Sequence, residues 1–503
     1  MPSPRYIIRE SKFIGYNDRD PPEQLKPRYL ADALNCFLKT GEIVKRTGYS
    51  LIGNDIELDK PCQGLFGAKF SDGTKELIGV FNGSIYKWTG SGNWALITSG
   101  SGVLSTTAQI DIVMANNAVY FFDGTSTVPK YNGTAISTVA AIPKGKYAKW
   151  FHNQLHVANI STNKNRLQSS VLGDPETFTG GASSDLDVNP NDGDEITGLQ
   201  TLKDELFVFK ERRVWAATNF GTAALTLSSV EERATGLGTL SNRSIVNTGN
   251  ELFYISFSGN IPHFRSIMRT LYGVIVDNGI ISQDIEGTMN GLNKAKLENT
   301  AGFFDGRYVW FALTNGASTT NNLVLTYDTI TKGWSRHTGI NASVIIDFSV
   351  TTTPQVYFGE ATDVSKAYVF DSSTDDNGTA INFQVISRRY GGDEPEHKNK
   401  YKWLYVRSEE TGNYDVTVDY AKDGFSYDNL GTINLSGTGS VFDNIILDTS
   451  RLGSTDLSRD RFTFPKNRSY YLQFKLYDTS ATSSITIRDW ELIFMKKLPI
   501  SDK

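Results

Sequence analysis

The chain is poor in the residues that most chemistry needs. Among its 503 residues are two cysteines, Cys36 and Cys62, and five histidines, His152, His156, His263, His337 and His397. Two thiols cannot supply a disulfide framework for a chain of this size, nor a four-thiolate zinc site. The expected fate of each is burial as a small apolar side chain. Long apolar runs are missing as well. No window approaches the roughly 18 residues of a membrane helix, and the start, MPSPRYIIRESKF, carries charge where a signal peptide is apolar. The expectation is a chain that does not insert into a membrane and stays in the compartment where it is made. There is also no surplus of positive charge: 50 Lys and Arg stand against 55 Asp and Glu, a net charge of −5. A broad basic footprint for gripping nucleic acid is therefore not expected, and a mildly acidic wall repels the phosphates of any DNA passing it.

Glycine, at 45 residues, and aromatics, at 12%, are plentiful and point to a turn-rich β protein. They fall into a recurring unit: two or three alternating apolar strands, a Gly-centred turn, then an aromatic beside Asp, Asn or Gly. It recurs in LIGVFNGSIYKWTGSGNWALIT (77–98), AVYFFDGTSTVPKYNGTAISTV (118–139), ELFVFKERRVWAATN (205–219), RYVWFALTNG with NNLVLTYDTITKGWSRHT (307–338) and VYFGEATDVSKAYVFDSST (356–374). Asx-Gly pairs between short apolar runs are the strongest local hairpin signal. Units of some tens of residues that cannot bury both faces alone must stack on neighbours, as in a β-propeller. Six or seven blades are expected, beginning near Gly64, Gln109, Lys146, Glu195, Leu240, Lys296 and Ala342, with 146–195 and 240–296 the poorest matches. The recurrent tryptophans Trp88, Trp94, Trp215, Trp310 and Trp334 fit packing between blades better than a sugar-stacking platform.

The flanks differ. Residues 1–61 form an arm with prolines at 21, 22 and 27, and Leu30, Ala33, Leu34, Phe37 and Leu38 are spaced as one face of a short amphipathic helix stopped by Gly41. Beyond the linker-like DSSTDDNG, the segments INFQVISRRY, YKWLYVRSE, YDVTVDYAKDG, SYYLQFKLYDTS and SITIRDWELIFMKK alternate strictly, as half-buried antiparallel strands do. The reading is an all-β chain: an N-terminal arm (1–61), an irregular β-propeller (62–375) and a C-terminal β-sandwich (376–503).

Constellations for catalysis are sparse. His152 and His156 in HNQLH could share a face, but no third ligand accompanies them, so packing or surface roles are expected. The run DLDVNPNDGDE (185–195) opens like a calcium loop, yet Pro190 and Ile196 stand where an EF-hand needs Gly and Glu. A solvated turn is expected there, with a looser calcium site as the competing reading. GLGTLSNRS (236–244) is too isolated and polar for a phosphate loop. Glu231/Glu232 and Asp375/Asp376 read as surface clusters, and Lys210 to Arg213 with Trp215 as an exposed loop or edge. No catalytic residue, cofactor or metal site is expected.

Three stretches carry a resemblance. ADALNCFLKTGEIVKRTGYSLI (31–52), NDGDEITGLQTLKDELFVFKERRVWAAT (191–218) and FTFPKNRSYYLQFKLYDTSATSSITIRDWELIF (462–494) are similar to the opening, mid-chain strand pair and closing sandwich of phage tail nozzle and packaged-DNA-stabilisation proteins. One departure is Thr47 in KRTGY, where that pattern has Pro. The resemblance implies a non-enzymatic virion protein of a short-tailed phage, six copies forming a ring below the portal and adaptor. Its channel would retain packaged DNA and pass it on infection. Contacts between copies are then expected from the arm, at Tyr6, Arg9, Phe13, Tyr16, Arg28 and Tyr29. The competing class is a glycan-binding or glycan-cleaving propeller of a phage receptor-binding component.

Overall fold

A computed structural model of the chain describes residues 5–56, 58–218, 230–269, 275–391, 398–424, 426–436, 457–465, 468–480 and 482–496. The chain is nearly all strand, as expected, and forms two units. One comprises Ser50–Leu325 and Ile340–Phe370; the other comprises Met1–Tyr49, Thr326–Gly339 and Asp371–Lys503.

The first unit is the propeller. Seven strands, Cys62–Lys69, Asp111–Ala115, Gly145–Phe151, Ile196–Leu202, Val246–Asn247, Ala301–Phe304 and Ala342–Phe348, pack each on the next, and the seventh packs on the first to close a ring. All seven begin within six residues of the expected blade starts. From each inner strand the sheet runs outward through antiparallel hairpins, as in Cys62–Lys69, Lys75–Phe81, Ser84–Trp88 and Ala95–Leu96. Five sheets of this unit are four-stranded blades. The sector Ala301–Phe304, Tyr308–Leu313 and residues 323–325 has three strands within the unit. The last blade, Ala342–Phe348, Gln355–Glu360 and Ala367–Phe370, is completed from the start of the chain: Ser50 and Leu51 lie beside its third strand, and the Ile52 amide donates to the Ala367 carbonyl at 3.0 Å. This join ties first blade to last, since a ring of sheets otherwise has a seam with an open edge.

Apolar clusters lie between successive blades, not within them. Ile78, Val80 and Ile85 of the first blade pack with Val119, Phe121 and Tyr131 of the second, and Leu206 and Val208 of the fourth with Ala158 and Leu167 of the third. The 146–195 segment reads poorly in sequence because its hairpin turn, His152-Asn153, has positive φ (47° and 56°) without glycine. Asn82-Gly83, with 48° and 72°, is the turn that Asx-Gly patterning finds.

The second unit is the sandwich, and it contains the arm. One sheet orders Cys36–Lys39, Glu42–Lys45, Thr486–Lys496, Asn399–Glu409 and Leu457–Thr463, with Arg5–Ser11 paired to Thr486–Lys496 from Arg5↔Met495 to Ser11↔Asp489. The other orders Trp334–His337, Tyr29–Leu34, Phe383–Ser387, Tyr471–Asp478, Asp415–Lys422 and Asp428–Asn434. The five alternating C-terminal segments are all strands. Phe13 lies 4.4 Å from Trp490, Trp490 lies 5.0 Å from Phe474, and the indole donates to the Tyr390 hydroxyl at 2.7 Å, so one aromatic stack joins the sheets.

Two expectations are corrected here. The linear division into arm, propeller and sandwich gives way to two units in which residues 1–49 and 371–503 fold together. The amphipathic helix is absent: Leu30 to Leu38 lie on strands Tyr29–Leu34 and Cys36–Lys39, broken by Asn35 at φ 54°. Pairing of Tyr29–Leu34 with Phe383–Ser387 supplies the backbone partners that helix hydrogen bonds would otherwise provide. The KRTG stretch has its own reason. Arg46, 1% exposed, grips Asp376 with both Nη atoms at 2.7 and 2.5 Å and donates to the Thr338 carbonyl at 2.8 Å. A Cβ on Gly48 would lie 1.7 Å from the Asp375 carbonyl oxygen.

Candidate functional site

The seven inner strands converge, so the residues entering them meet around one end of the propeller axis. Two adjoining cavities of ≈ 160 and ≈ 220 Å³ lie there, and both are lined by Thr107, Ala108, Gln109 and Asn299. Arg243, on the short 3-10 turn Asn242–Ser244, lines the smaller cavity. Its Nη1 donates to the Ser343 carbonyl at 3.0 Å, and its Nη2 donates to the Ile110 carbonyl at 3.0 Å and to the Gln63 carbonyl. These acceptors belong to the last, second and first blades. The five-donor guanidinium thus ties together inner-rim carbonyls of three blades, that of Gln63 also accepting from the Ile110 amide at 2.9 Å.

Among the described residues no carboxylate forms an ion pair with Arg243, and burial holds its pKa below the usual arginine value. Asp111, on the second inner strand, is itself pushed up by burial. It accepts from the Ala148 amide at 2.9 Å. In the larger cavity Lys146 and Glu298 bring charges of opposite sign, and burial raises the pKa of the Tyr147 phenol.

A second polar centre lies where the calcium-loop pattern was seen. Lys210 is fully buried, with its Nζ 2.9 Å from both Asp192 carboxylate oxygens. It is 3.1 Å from Asn165 Oδ1 and from the Asn189 and Asp194 carbonyls. The expected solvated turn is therefore a cation cradle, and the cation is the chain's own ammonium. Placing Lys210 in an exposed loop is corrected with it: the loop is confined to Glu211 and Arg212, whose amides are capped by the Asp194 carboxylate at 3.1 and 2.9 Å.

The histidine pair does not form a metal site. His152 sits in the hairpin turn. His156 points into the third blade, with Nδ1 2.7 Å from Ser169 Oγ and Nε2 3.2 Å from the Phe151 carbonyl. Because a carbonyl can accept but not donate, Nε2 carries the proton and Nδ1 accepts from the serine. Burial lowers its pKa to about 4. Below about pH 6.5 the unfolded chain takes up a proton that the folded chain refuses, so stability falls as pH drops from 6.5 to 4 and levels off below. At about 1.4 kcal/mol per unit, the loss is on the order of 3 kcal/mol. Urea unfolding across this window is expected to show that slope, and His156→Gln is expected to flatten part of it. His337 of the sandwich and His263, also driven down by burial, contribute to the rest.

The remaining sequence candidates disperse. Glu231 pairs with Arg233 at 2.9 Å, Glu232 with Arg213 at 3.4 Å, and Asp376 with Arg46. Trp88 and Trp94 pack in the first-to-last blade cluster, Trp215 against the third-to-fourth cluster, and Trp310 on Phe370 at 5.5 Å, while Trp334 is buried in the sandwich unit. His397 lies outside the described residues.

The proposed interface residues divide in two. Phe13 and Tyr16 are each 1% exposed in the sandwich core and are not available to a neighbour. Tyr6 (39% exposed), Arg9 and Arg28 face outward and Tyr29 is half-buried. Sequence reasoning missed Arg243 and misplaced Lys210 on the surface. The former lies in GLGTLSNRS, where a lone arginine in a polar stretch just before an inner strand was the available signal.

No family model matches the chain, and no curated protein matches it. Solved structures do. A catalytically inactive virginiamycin B lyase from Staphylococcus aureus with quinupristin aligns at TM-score 0.42 and 13% identity, covering 64% of this chain and 98% of that one. The Neurospora crassa Pan2 WD40 domain aligns at 0.38 and 8%, covering 65% and 95%. An exo-beta-1,3-galactanase from Phanerochaete chrysosporium aligns at 0.22 and 9%, covering 90% and 97%. At these scores none of them lends this chain an activity, and the chain stands as a β-propeller protein with a sandwich unit.

Proposed function

We propose that this protein is a structural component of a phage tail, a nozzle or head-completion subunit that associates into a ring, with a hexamer expected. The ring would join the portal and adaptor, retain packaged DNA and pass it on infection. The supporting observation is the use made of buried charge. Lys210, Arg243, Arg46 and Lys45 are each spent on carbonyls and carboxylates of other strands. Arg243, Arg46 and Lys45 tie together segments 100 or more residues apart and Lys210 ties the fourth blade to Asn165 of the third, as a wall under pressure requires. In this reading DNA travels between subunits, because Arg243 occupies the propeller axis. The strand Arg5–Ser11 offers a neighbour its second edge, which no strand covers among the described residues, with Tyr6 and Ile7 39% and 61% exposed.

Mass photometry and negative-stain imaging of the purified chain test this reading. Rings are expected, as is co-sedimentation with purified virions. A chain that stays monomeric at high concentration and is absent from virions would sink it. The axial cavities favour a second reading, a glycan-binding propeller, which a glycan array would detect independently.

A further inference from the structure

We propose that the axial cavities form a binding site for a small hydroxy-carboxylate, the size of one sugar ring, with its carboxylate at Arg243 and its hydroxyls on Gln109 and Asn299. Three observations converge on it. The first is a cation with no carboxylate bonded to it: three neutral carbonyls hold the Arg243 guanidinium, while the Asp111 carboxylate acts on it only through space and takes its hydrogen bond from the Ala148 amide. Half-buried charge of this kind is stabilised by an opposite charge, and a carboxylate accepts from guanidinium N–H groups in a charge-assisted bond.

The second is the pair of amides shared by both cavities. The Gln109 Nε2 donates to the Glu298 carbonyl and the Asn299 Nδ2 to the Thr319 carbonyl, each at 3.3 Å. Their side-chain oxygens take no protein donor among the described residues. An acceptor beside a cation calls for a ligand that brings hydroxyl donors as well as negative charge, which separates a hydroxy acid or uronate from inorganic phosphate. The third is size. Cavities of ≈ 160 and ≈ 220 Å³ fall below the roughly 300 Å³ at which drug-sized pockets begin. Each is of a size to admit a single ring.

This inference is independent of the assembly reading: a ring that binds nothing and a monomer that binds are distinguishable outcomes. The probe is glucuronate, titrated calorimetrically into the full chain with glucose as the neutral control. Glucuronate is expected to bind at millimolar concentration, with glucose at least about tenfold weaker because it lacks the charge. Arg243→Gln is expected to abolish glucuronate binding. Since that variant also removes three structural hydrogen bonds, Asn299→Asp serves as the second test. It places a negative charge in both cavities and leaves the Arg243 bonds in place at the loss of the exposed bond to the Thr319 carbonyl, so a small fall in melting temperature with about tenfold weaker glucuronate binding is expected. An oligouronate that binds as well as the monomer assigns the site to chain ends, and binding confined to the monomer assigns it to a free acid. No heat with glucuronate, equal affinity for glucose, or unchanged binding in both variants overturns the proposal.

Discussion

Removal of residues 1–30 is expected to unfold the sandwich unit and leave the propeller standing. The deleted segment contributes the strand Arg5–Ser11, paired over its full length with Thr486–Lys496. It also contributes Phe13 and Tyr16, each 1% exposed, and Leu25 and Leu30, at 3% and 0%. Truncating one buried phenylalanine costs about 3–5 kcal/mol, against a whole-domain stability of about 5–15 kcal/mol. Losing two aromatics, two leucines and a strand leaves the unit nothing to fold with. Glu10 adds to the loss, because its carboxylate accepts from Arg388 Nε at 2.7 Å and from the Arg28 amide at 2.9 Å, and Arg388 would be left with a buried vacancy. The propeller closes with Ser50 and Leu51, downstream of the cut. Limited proteolysis should therefore yield a resistant fragment of propeller size, and circular dichroism should show a partial loss of strand signal. Full retention of β content and a single unchanged melting transition would show that the segment is an appendage.

The second large effect is expected at Lys210. Lys210→Ala removes the ammonium from a site where Asp192 is 4% exposed and leaves that carboxylate only Arg213 Nε at 3.9 Å; a buried carboxylate that loses its close partner costs about 3–5 kcal/mol. For a unit of this size that is a fall in melting temperature on the order of 10 °C. The sign of a rescue is also fixed by chemistry. The vacated cradle keeps two carboxylate oxygens, one amide oxygen and two carbonyls, at 2.9–3.1 Å from the former nitrogen. Oxygen sets of this kind hold calcium after contracting by about 0.5 Å. Millimolar calcium is expected to raise the melting temperature of Lys210→Ala and to leave the parent chain unmoved. A variant as stable as the parent would show that solvent reaches the cradle and that the ammonium is not what organises the loop.

These two sites mark how far the sequence could be read. The alternation in LIGVFNGSIYKW and AVYFFDGTSTV is a local property of strands and hairpin turns, so the blades and the places where they begin were legible. The five closing strands were legible for the same reason. Phe13 was misread because an isolated aromatic on a polar arm looks the same whether its partner is another subunit or Trp490, which follows more than 470 residues later. Leu30 to Leu38 were misread because helix spacing and a strand interrupted at Asn35 place apolar residues alike, and the partner strand Phe383–Ser387 decides between them.

The candidate site was the least legible part. Arg243 gains its meaning from the carbonyls of Gln63, Ile110 and Ser343, and Lys210 from Asn165 and Asp192. The acidic run 185–195 was read as a solvated turn, and nothing local could announce that its oxygens close on a lysine.

By itself, then, the sequence determined the β-propeller, the alternating sandwich strands and the shortage of cysteine and histidine, all of which follow from composition and short-range periodicity. Only the tertiary structure decided that the arm belongs to the sandwich, that the ring is closed by Ser50 and Leu51, and that a lone arginine stands at its axis. These depend on contacts between residues tens to hundreds of positions apart, where closing the ring and burying charge select the partner and no local pattern can.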